Sequence, residues 1–196
     1  MPTRRVCDPE IEIINDYTLS KDFVSILQAL PATLGDSMFY KEISTLARAH
    51  RFTLKRFGQL VAVSLCGNHR ALLARKWMKQ HPEYQVNVIY SYWLQITAYA
   101  AVRLRNIACM PKALIISRTH GFDLYEDRMK TNYLPFQKQI VDQLDEIASI
   151  SLDGKNYLER KYGTNHKISI RRLGAQDRNV MNPFVCREIL RIVYCS

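Results

Sequence analysis

Residues 117–123, SRTHGFD, gather an imidazole, a guanidinium, two hydroxyls and a carboxylate around one glycine. His120 can donate, accept or carry a proton near neutral pH, and Asp123 can orient it or hold a hydroxyl. Gly121 removes side-chain bulk beside His120, so a ligand or another stretch of backbone can come close. Arg118 suits a phosphate contact or an internal ion pair with Asp123 or Glu126. Other chemistries lack their residues. There is no GxSxG elbow to present a serine nucleophile and no P-loop to hold a nucleotide phosphate. His69, His81 and His166 stand without ligand spacing, and the five cysteines form no CxxC or Cys/His pattern, so no metal site is expected. Those cysteines read as free, buried thiols of a reducing compartment.

These residues need a strand to carry them. The apolar run 113–116 reads as a buried strand, and the polar residues that follow at once belong on the loop at its carboxyl end. In open α/β sheets that edge is where ligands bind. Upstream, residues 86–90 (VNVIY) make another strand, with Ser91, Tyr92 and Trp93 at its carboxyl end. A helix over 96–105 returns the chain to Pro111, a right-handed parallel crossover. Helical spacing of Tyr133, Phe136, Ile140 and Leu144 is followed by a strand over 147–151. A helix over 154–162 comes next, capped by Asp153 and stopped by Gly163, and then a strand over 167–171. Alternating β and α elements predict an α/β, Rossmann-like, doubly wound parallel sheet.

Before this core, residues 10–14 (EIEII) alternate as a short strand, and Ser20 caps a helix over 21–30 that Pro31 ends. Residues 36–80 read as two or three helices with a break near Gly67 and Asn68. This stretch is basic: no acidic residue stands between Glu42 and Glu83, while Arg48, Arg51, Lys55 and Arg56 are interleaved with Phe52, Leu54 and Phe57. The whole chain carries a net charge of +10. Basic amphipathic helices point to an anionic membrane surface, with a merely solvated basic face as the alternative. No recognition motif favours nucleic acid. No run is long and apolar enough for a membrane span, and the first ten residues have no secretory h-region. The expected location is therefore the cytoplasm or its membrane face.

Three segments together carry a resemblance: SRTHGFDLYEDR at 117–128, IASISLDGKNYLERKYG at 147–163, and ISIRRLGAQD at 168–177, with VIYSYW at 88–93 upstream. In this order they resemble the N-terminal half of retaining GT-B glycosyltransferases, the bacterial group-one enzymes that build cell-surface polysaccharides. The resemblance implies an acceptor-binding domain over residues 1–172, with the basic helices 36–80 inserted. It further implies an interdomain linker over 173–188, and over 189–196 the first strand of a donor-binding domain of which nothing more is present. The implied reaction moves a sugar from a nucleotide-sugar to a glycan or lipid-linked acceptor without a metal, and the chain by itself is expected to be inactive. His120 then lines an open cleft and points at the donor sugar. Asp123 contacts sugar hydroxyls or fixes the loop, Tyr92 and Trp93 stack on a sugar face or serve as rim aromatics, and Ser151 at a strand end touches substrate. Two departures stand out. The glycine-rich first loop of the family is missing, and so is its donor site. The alternative is a stand-alone α/β module that docks on an anionic membrane or on a partner domain.

Overall fold

The computed structural model describes residues 26–163 and 165–174. Three helices come first: α1 (Leu30–Leu34), α2 (Ser37–Arg48) and α3 (Leu54–Gln80). Strands and helices then alternate as β1 (Val88–Ser91), α4 (Ile96–Ile107), β2 (Leu114–Thr119), α5 (Gln137–Gln143), β3 (Glu146–Ser149), α6 (Leu152–Tyr162) and β4 (Ile168–Ile170). A single 3-10 turn, Glu126–Arg128, lies between β2 and α5. The predicted strand at 10–14, the Ser20 cap, almost all of the 173–188 linker and the strand at 189–196 lie outside the described residues.

The four strands pair in the order β1-β2-β3-β4, every pair parallel. This is the expected α/β, Rossmann-like parallel sheet. Each strand is added to the same edge, and right-handed crossovers then place α4, α5 and α6 on one face. Among the described residues the sheet is therefore wound once, without the reversal of a doubly wound sheet. The side chains agree. Ile115, Ser117 and Thr119 of β2 are buried, and their neighbours Leu114, Ile116 and Arg118 face the other way, more exposed. On the covered face Ile115 and Ile147 join Tyr99, Val102, Phe136, Ile140 and Leu158 in the core.

Four local expectations are corrected. The helix through Gly67 and Asn68 does not break, because both residues are fitted to α4. A Cβ at position 67 would lie less than 3.0 Å from Tyr99 Cδ1, so only glycine lets the two helices approach this closely. Asn68 donates to Thr33 Oγ1 (3.2 Å) and the Tyr99 hydroxyl (3.1 Å) and accepts from Arg103 Nε at 2.8 Å. Arg103 in turn pairs with the fully buried Asp36 at 2.9 Å, and Asp36 also accepts from the Tyr99 hydroxyl and caps α2 through Met38 N. Pro31 opens a helix rather than ending one, since its fixed φ and missing N–H suit the first turn of α1. The α6 cap is Ser151, whose hydroxyl accepts from Gly154 N at 3.0 Å, not Asp153. Gly163 does stop α6, at φ +67. Of the cysteines among the described residues, Cys66 is half-buried and Cys109 is exposed, so they are free but not the buried thiols expected. Cys109 follows the end of α4 at φ +53, a turn that puts it on the surface.

Candidate functional site

Parallel pairing sets Ser91 beside Ser117, so the loops that leave β1 and β2 emerge next to each other. The first carries Tyr92 and Trp93, and the second carries His120, Gly121 and Asp123. The structure therefore brings five of the predicted residues to one place at the carboxyl edge of the sheet.

Asp123 organises this edge. It has no exposed surface. Its carboxylate accepts from His120 N at 2.6 Å and from Thr119 Oγ1 at 3.4 Å, tightening its own loop, and from Leu94 N at 2.7 Å, tying that loop to the one after β1. Of its two readings, fixing the loop is the one it performs, and the carboxylate has no free surface to offer a sugar hydroxyl. Gln95 adds a second tie, donating to Phe122 O at 3.0 Å.

Held this way, the His120 ring packs against two aromatic rings that also touch each other edge to face. Its centroid is 4.4 Å from that of Trp93 and 4.8 Å from that of Tyr92. Both of these rings are themselves nearly half-exposed. The expected open-cleft imidazole is thus a covered one, with only 11% of its side chain exposed. Neither ring nitrogen has a hydrogen-bond partner or contact with solvent. The nearest carboxylate oxygen, on Asp123, is 4.0 Å from Nδ1, too far for a hydrogen bond. Leaving a buried polar atom unsatisfied costs about 1–3 kcal/mol. An unpartnered imidazole beside two partly exposed aromatic side chains can recover that cost by binding a ligand that supplies donors or acceptors.

The remaining predicted residues are placed otherwise. Arg118 alternates with the buried Ser117 and Thr119 and so faces the opposite side of the sheet from them. It forms no ion pair with Asp123 or Glu126, and its Nε is buried without a partner. The Ser151 hydroxyl is used as the α6 cap. What comes close at Gly121 is Arg128: a Cβ at 121 would lie less than 3.0 Å from Arg128 Nη1. The Arg128 guanidinium also rests 4.6 Å from the centroid of Tyr125. The sequence gives Arg128 no role of its own, although it closes the 117–128 segment; the fold brings its guanidinium against Gly121.

The basic cluster divides in two. Arg56 donates from Nε to Thr131 O (3.0 Å) and from Nη1 to Arg51 O (2.7 Å), while Arg51 donates to Asn132 O at 2.5 Å and pairs with Glu126 at 3.5 Å. These two arginines fasten the α2–α3 connection to the loop before α5. Arg48 and Lys55 stay exposed, beside Phe52 and the 85% exposed Leu54. No helix among the described residues is long and apolar enough to cross a membrane, and no group of His, Cys, Asp and Glu among them can hold a metal ion. Compared with known proteins, the chain matches no family model, no characterised protein and no solved structure.

Proposed function

We propose that this chain is the acceptor-side part of a glycosyltransferase that moves a sugar from a nucleotide-sugar to a glycan or lipid-linked acceptor. One observation carries the reading: an imidazole without hydrogen-bond partners, packed against Tyr92 and Trp93 at the carboxyl edge of a parallel sheet. Sugars present apolar faces to aromatic rings and hydroxyls to polar groups. Tyr92 and Trp93 supply the first kind of contact, and the nitrogens of His120 supply the second once a ring turns aside. Trp93, Tyr92 and His120 are the proposed ligand contacts, and Asp123 positions the loop that presents them. His120 places the reacting sugar, and its gain comes from orientation rather than from covalent chemistry. The reaction also needs groups that hold the diphosphate leaving group as the sugar is transferred.

The test is sugar binding, read by saturation-transfer NMR against a panel of oligosaccharides and micelle-dispersed polyprenyl-linked sugars. At least one is expected to receive saturation on its ring protons, and Trp93→Ala to remove it. A chain that binds none of them, or binds equally well without Trp93, contradicts the reading.

A second reading has its own observation. Leu54 and Phe52 stand exposed between Arg48 and Lys55, exposed cations that form no ion pair among the described residues, an arrangement suited to an anionic membrane surface. This docking is compatible with a lipid-linked acceptor.

A further inference from the structure

We infer that Arg128 is a phosphate-binding residue, and that the ligand meeting His120 carries a phosphate or diphosphate. This rests on the sugar-transfer reading for the site itself and adds the charge class of what enters it.

Arg128 is exposed, yet its head group is held in place. The guanidinium lies over the Tyr125 ring at 4.6 Å and against the backbone of Gly121, next to His120. Tyr125 is fixed in turn: its hydroxyl donates to Asp153, and its ring meets that of Tyr157 edge to face at 4.9 Å. A guanidinium held over an aromatic face by a cation–π contact keeps its fork of N–H donors, which can meet two phosphate oxygens at once.

The carboxylates around it are committed elsewhere. Glu126 is shared by Arg51 at 3.5 Å and Lys161 at 3.3 Å, and Asp153 accepts from Tyr125. Asp127, adjacent in sequence, is exposed and forms no ion pair with Arg128 among the described residues. Among the described residues Arg128 is thus a positioned cation without an ion pair, set against the glycine that follows His120. A ligand with a ring for Trp93 and a phosphate for Arg128 supplies what both lack. Gly121 then has a specific reason to be glycine, since any side chain there displaces the guanidinium.

The probe is inorganic pyrophosphate, titrated calorimetrically into the full chain. The wild type is expected to bind it saturably. Arg128→Gln should weaken binding about tenfold to a hundredfold, the range for losing charge-assisted hydrogen bonds. Arg128→Lys should fall between, because it keeps the charge and loses the fork. Lys130→Gln, which removes a neighbouring exposed cation, should change nothing. A second arm uses phosphatidylcholine vesicles bearing polyprenyl diphosphate. Vesicle binding that depends on Arg128 and is displaced by pyrophosphate identifies a lipid-linked source; pyrophosphate binding without vesicle binding identifies a soluble one. No measurable pyrophosphate binding, equal binding by Arg128→Gln, or equal weakening by Lys130→Gln overturns the inference. Pyrophosphate binding through Arg128 in a chain that binds no sugar keeps the inference and removes the sugar-transfer reading. The reverse result removes the inference alone.

Discussion

His120 keeps two buried ring nitrogens without hydrogen-bond partners, while the carboxylate of Asp123 is fully engaged. Asp123 takes two backbone N–H groups and a hydroxyl from two different loops, so its value lies in position rather than in contact. Asp123→Asn keeps the shape but replaces a charged acceptor with a neutral one, and one of its amide hydrogens must face a backbone donor. It is expected to cost about 1–3 kcal/mol in urea unfolding and to weaken sugar binding through loop disorder. Unchanged stability would show that Asp123 does not tie the loops. That these residues share a loop is legible in the sequence, since a strand pattern runs directly into SRTHGFD. That Tyr92 and Trp93 cover His120 is not, because it depends on the register that sets Ser91 beside Ser117. Arg128 was out of reach for the same kind of reason: a 3-10 turn reverses the chain, and no periodicity announces it.

Tyrosines give the residue scale a pH signature. Burial, together with the hydrogen bond to Asp153, pushes the Tyr125 hydroxyl up to about 12. Tyr99, Tyr133 and Tyr162 are pushed up further by burial, the first two beside the carboxylates of Asp36 and Glu42. Each proton is held more tightly in the folded chain than in the unfolded one, where the ordinary value is about 10. Their contribution is therefore complete below pH of about 10 and is lost as pH rises from there through the folded-state values. Ultraviolet titration of tyrosinate should show Tyr99, Tyr133 and Tyr162 ionising only as the chain unfolds. A single rapid ionisation of all eleven tyrosines in the folded chain would contradict this.

At the scale of elements, α3 shows where pattern reading stops. Gly67 and Asn68 look like a break when read locally. They are instead a notch and a polar hub in a continuous helix, because their partners Thr33, Tyr99 and Arg103 lie 31 to 35 residues away. Gly67→Ala would gain about 1 kcal/mol of helix propensity but would drive a methyl group into the Tyr99 ring, and overpacking costs about 1–3 kcal/mol. Thermal unfolding should show net destabilisation; a raised melting temperature would mean that α3 and α4 can separate freely. Strands and crossovers were more legible, because alternating and apolar runs fix β1 to β4 within a few residues. The Ser151 cap was missed because Asp153 has the same chemistry two positions later, and only the extended backbone of Ser151 decides between them.

At the scale of the whole molecule, charge and exposed apolar surface converge on the α2–α3 connection. The sequence marks four basic residues there; Arg51 and Arg56 hold the loop before α5, while Arg48 and Lys55 are exposed and make no ion pair among the described residues. Each such cation near an anionic surface is worth about 1 kcal/mol. Arg48→Gln with Lys55→Gln should therefore lower partition onto anionic vesicles about thirtyfold, and Leu54→Asp should lower it too, with the fold intact. Binding that survives all three changes would place the membrane contact elsewhere. The parallel sheet follows from the order of elements, but its single winding among the described residues does not, since periodicity carries no strand order.

The account depends most on the covered imidazole being where a sugar binds. The chain has two tryptophans, Trp77 and Trp93, so Trp77→Phe leaves Trp93 as the sole indole reporter against His120. Emission from that variant, followed during titration with a sugar that the chain binds, should change saturably and in step with occupancy as the ring leaves the imidazole. Sugar binding that leaves Trp93 emission unmoved would contradict the account, because the ligand would then occupy some other surface.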